Sequence, residues 1–437
     1  MTERMRYRNL INELYKRRNK GIKLGLDRVL SVVEKFGCPH NKFKSIHVAG
    51  TNGKGSVCKI IYSLLRSHGV STGLFTSPHL TRFTERIIVN DEEILEDDVL
   101  RLAEKIEPHA QELTFFEYIT VMAFIYFEEK NVEYAVIETG MGGRLDATNI
   151  ILPEVSVITN IDFDHQAFLG NNIKSIASEK AGIIKKGIPV VSSMQYKDAE
   201  EVLKDKADDM GCQLFIYGKD FFSDLKSMNF KGLVFDFYCN SQNSLLTDLF
   251  LPLTGLHQVE NVSVALKAFR TAYPSWSKDL VREGLSRVKM PGRLEVISES
   301  PLIILDIAHN PHAARSLVNS LKILTDKVPV LVFGIMKDKD VVGFIKYFEN
   351  FVKAIFFTVP SYERALRAEE FQNRINGCLS VDVHIFPESE RAFTEALNLC
   401  KKNPSYCLLC TGSTYLVGEI KEFLGERVVY RHFGELL

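Results

Sequence analysis

A chain of 437 residues, 46% hydrophobic and 25% charged, has an ordinary globular composition and is too long for one core, so two or three domains are expected. A net charge of −1, with only short basic runs (Lys16-Arg17-Arg18, Lys185-Lys186), argues against nucleic acid as the main partner. No apolar stretch reaches the ~18 residues of a membrane span, and residues 1–20 are polar and basic without an apolar signal core, so a cytoplasmic protein is expected.

Leu26, Val29, Leu30, Val33 and Phe36 recur at helical spacing. Residues 46–49 read as a strand that enters a glycine-rich turn, with a helix over 54–67 after it. Strand-like residues 72–76, a largely apolar helix over 115–128, and two buried-strand runs at 132–138 and 155–159 follow. Residues 173–184 are helical and 188–192 strand-like. Such alternation predicts a parallel α/β sheet. Residues 215–251 break the pattern with short alternating runs among Asn and Ser, which predict a small antiparallel ribbon; 258–272 return to helix. Lys289-Met-Pro-Gly-Arg293 is the best linker, punctuated by Pro and Gly, and places a domain boundary at 290/291. Beyond it, strand-like runs at 302–306, 330–333, 354–358, 381–385 and 406–410 alternate with helices. The predicted fold class is therefore α/β: a parallel-sheet domain of P-loop NTPase type with an antiparallel ribbon over 1–290, then a Rossmann-like α/β domain over 291–437. The eight cysteines are scattered. Cys407 and Cys410 form a C-x-x-C that reads either as a zinc or redox pair or as two small apolar residues of a buried strand, and no second metal-spaced pair accompanies it.

The strongest chemical signal is Gly50-Thr-Asn-Gly-Lys-Gly-Ser56 between a strand and a helix. Glycines let backbone N–H groups approach phosphate oxygens, the helix N-terminus adds a positive dipole end, and Lys54 adds a point charge. Gly55 separates Lys54 from Ser56, a departure from the usual P-loop. Glu138, at a strand end before Thr-Gly-Met-Gly-Gly-Arg144, stands where Mg²⁺ takes a ligand in such domains, and equally reads as an ordinary carboxylate. Asp164-His165 follows another strand on the same edge, so His165 is either a ligand or a structural histidine. Ser77, before Pro78, is either a hydroxyl ligand or a turn serine. Lys180 in Ser178-Glu-Lys-Ala is either a surface lysine or one turned into the site. In the second half, Asp306-Ile-Ala-His309-Asn310-Pro311 ends a strand and starts a helix, marking a second contact surface that Arg293 reaches from the linker.

Together these motifs resemble the folylpolyglutamate synthase and dihydrofolate synthase branch of the Mur ligases, over about residues 25–419. The resemblance implies a P-loop domain and a Rossmann-like domain with the active site between them. It assigns Asn52, Gly53, Lys54, Gly55 and Ser56 to the ATP phosphates, Asn261 in His257-Gln-Val-Glu-Asn to the nucleotide, Arg293 to the γ-phosphate, and Asp306 and His309 to nucleotide contacts of the second domain. Ser77, Glu138 and His165 match the family's metal ligands, and Lys180 the lysine that carries a carbamate and joins them; Lys54, Lys180 and His165 are the implied catalytic residues. Leu26 and Arg28, with Phe115, Phe116 and Glu117, match segments facing the pterin. Ile307 stands where the family usually has Gly. The implied reaction uses ATP and two Mg²⁺ ions to phosphorylate a folate carboxylate, which the L-glutamate amine then attacks. Small-molecule partners and a monomer are expected. A cell-wall Mur ligase, a P-loop switch and a non-catalytic nucleotide-binding module are the competing readings.

Overall fold

The computed structural model describes residues 3–17, 25–164, 166–240, 244–375 and 379–425. Its strands form three sheets. The first holds β1 (Lys44–Ala49), β2 (Thr72–Phe75), β3 (Ile87–Val89), β4 (Glu92–Glu93), β5 (Tyr134–Glu138), β6 (Val155–Ile158), β7 (Val190–Ser192) and β8 (Leu214–Ile216). Their order is β4-β3-β2-β5-β1-β6-β7-β8, parallel from β2 to β8 and antiparallel at the β3 and β4 edge. Strands β5 and β6 are buried along their whole length, because helices cover both faces of a parallel sheet. That is why they read as unbroken apolar runs. After β1 the chain runs outward on one side through β2, β3 and β4, returns to β5 beside β1, then builds outward on the other side through β6, β7 and β8. The turn after β1 thus lies at the switch point of the sheet, where crevices open beyond the strand ends.

The antiparallel ribbon is a three-stranded sheet, β9 (Phe221–Asn229), β10 (Gly232–Cys239) and β11 (Ser244–Leu251). It starts later than the sequence suggested: Leu214–Ile216 pairs in parallel with β7 and closes the large sheet instead. Phe221, Phe235, Phe237 and Leu251 turn inward onto the same core as the helix His257–Ala272.

The third sheet contains β12 (Glu295–Glu299), β13 (Leu302–Leu305), β14 (Val328–Phe333), β15 (Ala354–Thr358), β16 (Asp382–Phe386) and β17 (Tyr406–Thr411), in the order β12-β13-β17-β14-β15-β16. All its pairings are parallel except β12–β13, an antiparallel edge that the apolar runs did not reveal. Strand β12 is only half-buried, which leaves it without a continuous apolar signature. Cys407 and Cys410 lie on β17, buried, in the cores on opposite faces of the sheet. Side chains three apart on a strand point to opposite faces, so this pair shares no ligand.

Candidate active site

The turn after β1 is closed to side chains. A Cβ on Gly50 would lie 1.8 Å from Thr159 Oγ1, and one on Gly53 (φ 90°) 2.4 Å from Asn261 Oδ1. The loop is thus held between the end of β6 and the helix His257–Ala272, and only glycine fits. Lys54 is the first residue of the helix Lys54–Ser67, so the free amides of that helix surround the loop. Its ammonium donates to Gly50 O (3.2 Å) and Thr51 O (3.5 Å) and stands 4.0 Å from Glu138 Oε1.

Lys180, buried in the helix Ile173–Ala181, donates to the same Gly50 carbonyl at 2.8 Å. Burial first, then the charge of Lys54, lower its pKa to about 7. Glu138 ends β5 with 4% of its surface exposed, and its Oε2 accepts the Ser77 N–H at 3.1 Å. Burial raises its pKa, while Lys54, the Ser77 N–H and Arg293 pull it back. A buried carboxylate with one cation 4.0 Å away leaves room for a further positive charge. Ser77, whose N–H meets Glu138, and Ser56, one residue past Gly55, carry hydroxyl oxygens, the donor type hard divalent cations take. Among the described residues no three His, Cys, Asp or Glu side chains gather into a metal site, and His165 lies outside the described residues. A cation here would draw on hydroxyl, phosphate and water oxygens as well as Glu138, a donor set that fits Mg²⁺.

The third sheet closes over this edge. Asp306, just past β13, is buried, accepting Leu294 N–H at 2.9 Å and Ala308 N–H at 2.8 Å. Arg293 lines the cleft with Asn52, Gly53, Ser56, Asn261 and Asp306, and its Nε has no hydrogen-bond acceptor among the described residues. An orphaned guanidinium donor beside the phosphate loop suits an anion. His309 donates from Nδ1 to Ile307 O at 3.0 Å, which leaves Nε2 facing Asp164 at 3.8 Å. Ile307 is accommodated because Gly292 adopts φ 72°: a Cβ there would lie 3.0 Å from Ile307 Cγ2. The residues assigned to the pterin divide between the neighbouring core and the rim of this cluster. Phe115 is buried and stacks on Tyr15 at 5.0 Å. Phe116 is half-buried, its ring filling the space beside Gly140, two residues past Glu138. Glu117 accepts Arg28 at 2.7 Å and the Thr114 N–H at 2.7 Å, so both its oxygens are engaged; Leu26 is half-buried just before the helix Asp27–Lys35.

Several contacts between the two halves escaped sequence reasoning. Asn310 caps the helix Pro311–Leu324 with Oδ1 and donates from Nδ2 to Asn52 Oδ1 at 3.0 Å. His257 meets Ser316 at 2.9 Å. Lys339 reaches Asp164 at 2.6 Å, both side chains nearly buried. For Lys339 the trace in the sequence is the charged run Lys337-Asp-Lys-Asp340 after a strand.

Comparison with known proteins agrees with this architecture. Residues 48–269 match the Mur ligase middle domain and residues 292–414 the Mur ligase glutamate ligase domain. The folylpolyglutamate synthase of Lacticaseibacillus casei is 34% identical over 91% of this chain and 94% of its own length. The dihydrofolate synthase/folylpolyglutamate synthase of Bacillus subtilis is 32% identical over 96% and 99%. A structure of Mycobacterium tuberculosis folylpolyglutamate synthase complexed with ADP superposes with a TM-score of 0.90 at 29% identity, covering 98% of this chain and all of the other. Escherichia coli FolC in complex with DHPP and ADP gives 0.84 at 30%, covering 96% and 97%. Family models that match both halves, and relatives above 30% identity along almost the whole length, place this chain in the Mur ligase family, in its folylpolyglutamate synthase and dihydrofolate synthase branch.

Proposed function

We propose that this protein is an ATP-dependent ligase that adds L-glutamate to the γ-carboxylate of a reduced folate. The observation that carries the reading is the convergence of Lys54, Lys180, Glu138 and Arg293 on one glycine-rich loop at the cleft between the large sheet and the third sheet. A carboxylate does not acylate an amine directly, because oxide is a poor leaving group. Transfer of the ATP γ-phosphoryl to the carboxylate oxygen makes an acyl phosphate. The glutamate amine attacks its carbonyl carbon, and phosphate leaves as the amide forms. The protein's share is positioning and charge neutralisation. Lys54 and Arg293 offset charge on the transferring phosphoryl group, and Asn261 and Asn52 hold the nucleotide. Asp306 fixes the backbone of the linker and of the His309 turn around the nucleotide through its two N–H contacts. Ser77, Glu138 and His165 would hold Mg²⁺, two ions in all, which supplies Lewis-acid neutralisation of phosphate oxygens. Lys180 serves as a carbamate, an anionic oxygen donor oriented by Gly50. Closure of the second domain excludes water from the acyl phosphate. The working division of the chain is 1–290 for nucleotide binding and 291–437 for the closing domain.

The relatives named for both activities favour a second reading on the same site, in which dihydropteroate also receives its first glutamate. We place the protein in the cytoplasm as a monomer; among the described residues no helix is long and apolar enough to cross a membrane. One assay tests the ligase readings: ADP release with tetrahydrofolate, dihydropteroate or neither, with and without glutamate. Release that needs both glutamate and a pterin substrate is the expected outcome. Hydrolysis indifferent to glutamate would assign the fold to a nucleotide switch instead.

A further inference from the structure

We propose that Met290 is a thioether plug on the phosphate loop, which an incoming Mg-nucleotide displaces, moving the linker that carries Arg293. The proposal rests on the nucleotide reading above. Ser56 Oγ donates to Met290 Sδ at 3.2 Å, and a Cβ on Gly55 would lie 3.2 Å from the Met290 methyl and 3.8 Å from Glu138 Oε2. The side chain therefore rests against the first turn of the helix that the loop opens, at Gly55 and Ser56, with the Glu138 carboxylate on the same side. A thioether is a weak, neutral acceptor and a poor ligand for a hard cation, which takes oxygen. Phosphate oxygens and Mg²⁺ would win this space from it at small cost. Methionine suits the role, since its unbranched chain repacks readily; here the rest of the side chain leans on the core under the loop.

The cleft agrees. It encloses about 80 Å³, against roughly 300–1,000 Å³ for an ordinary ligand pocket. A nucleotide therefore requires the walls of this cleft, Arg293 and the residues Asp306 and Ala308 just past β13 among them, to shift. The linker couples this movement to that of Met290. Pro291 follows Met290 and restricts the backbone. Gly292 is tied to the second half by its N–H to Glu295 Oε2 (2.7 Å) and by its carbonyl, which accepts the Ile307 N–H (2.9 Å). Three residues after the plug comes Arg293, so expulsion of Met290 and repositioning of the guanidinium are one event.

The test uses the full chain labelled with ¹³C at the methionine methyls, with the Met290 resonance identified by its loss in Met290→Leu. Without nucleotide, that methyl should show cross-relaxation to the Gly55 α-protons. Saturating Mg-ADP should abolish the contact and shift the resonance. In calorimetry, Met290→Ala should tighten Mg-ADP binding by about two- to tenfold, the scale of one weak hydrogen bond released. A Met290–Gly55 contact that persists at saturation, or unchanged or weaker affinity in a Met290→Ala protein with wild-type melting, overturns the plug; should that variant fail to fold, the wild-type resonance decides. If the wild-type chain binds no Mg-ADP at all, the nucleotide reading falls and the plug with it. Binding with an unmoved methyl removes the plug alone.

Discussion

Lys54 and Lys180 both donate to the carbonyl oxygen of Gly50. Burial first, and then the charge of Lys54, lower the pKa of Lys180 to about 7 from 10.5. A neutral amine is what captures CO₂; arginine stays protonated and lacks it. Lys180→Arg should therefore lose ligation although the positive charge remains, and wild-type activity in CO₂-stripped buffer should fall as pH drops through about 7 and return with bicarbonate. Full activity of Lys180→Arg would leave a structural lysine. The sign for stability follows separately. Between pH 7 and 10.5 the unfolded chain binds this proton and the unmodified folded one does not, so stability rises with pH across that window. Lys54→Ala should cost about a hundredfold or more in kcat/KM, the scale of one electrostatic stabiliser, read in steady-state kinetics at saturating Mg²⁺. Glu138→Gln keeps the shape and removes the charge: the Mg²⁺ titration should move to higher concentration with partial rescue by excess Mg²⁺, and an unmoved curve would remove Glu138 from the ligand set.

At the scale of elements, a helix start places Lys54, a strand end Glu138, the last turn of a helix Lys180 and the linker Arg293, and the cap at Asn310 does double duty. Asn310 caps the helix Pro311–Leu324 and holds Asn52 in the glycine-rich loop. Asn310→Ala should destabilise the fold by about 1 kcal/mol, as a lost N-cap does, and also raise the KM for ATP; Asn310→Asp, which retains the cap but not the donor, should keep the melting temperature and still raise KM. The pair Phe115 and Phe116 divides in the same way. Phe115 stacks on Tyr15 in the core, so Phe115→Ala should mainly lower the melting temperature, by about 3–5 kcal/mol of stability. Phe116 is half-buried beside Gly140 near Glu138, so Phe116→Ala should raise the folate KM more than the ATP KM. Equal effects on both constants would detach Phe116 from the pterin.

For the whole molecule, polar contacts tie the halves together across the cleft, among them Asn52–Asn310, His257–Ser316 and Asp164–Lys339. The last is nearly buried, where loss of one partner leaves the other charge uncompensated. Lys339→Met should lower kcat/KM about tenfold or more by misplacing the second half, since small shifts in catalytic geometry carry large rate penalties. The check is ADP release alongside Mg-ADP affinity: turnover should fall further than nucleotide binding. Equal losses would make Lys339 a nucleotide ligand and not a closure contact.

Periodicity and glycine spacing were enough to read the parallel sheets and the glycine-rich turn after β1, because buried parallel strands are continuous apolar runs and a turn that no side chain fits must be glycine. The helix over 54–67 ends where the sequence placed it. Short-range pattern could not show that Leu214–Ile216 belongs to the large sheet, since its pairing partner β7 lies a helix away. Nor could it reveal β12, whose half-buried residues carry no apolar signature. The same limit governs the site. Residue type and strand position nominated Lys54, Glu138 and Lys180 one at a time. That two lysines meet on one carbonyl, that Asn310 and Lys339 reach the first half, and that Met290 rests on the loop are long-range facts. They depend on how the two halves pack, and no local stretch of sequence encodes that distance.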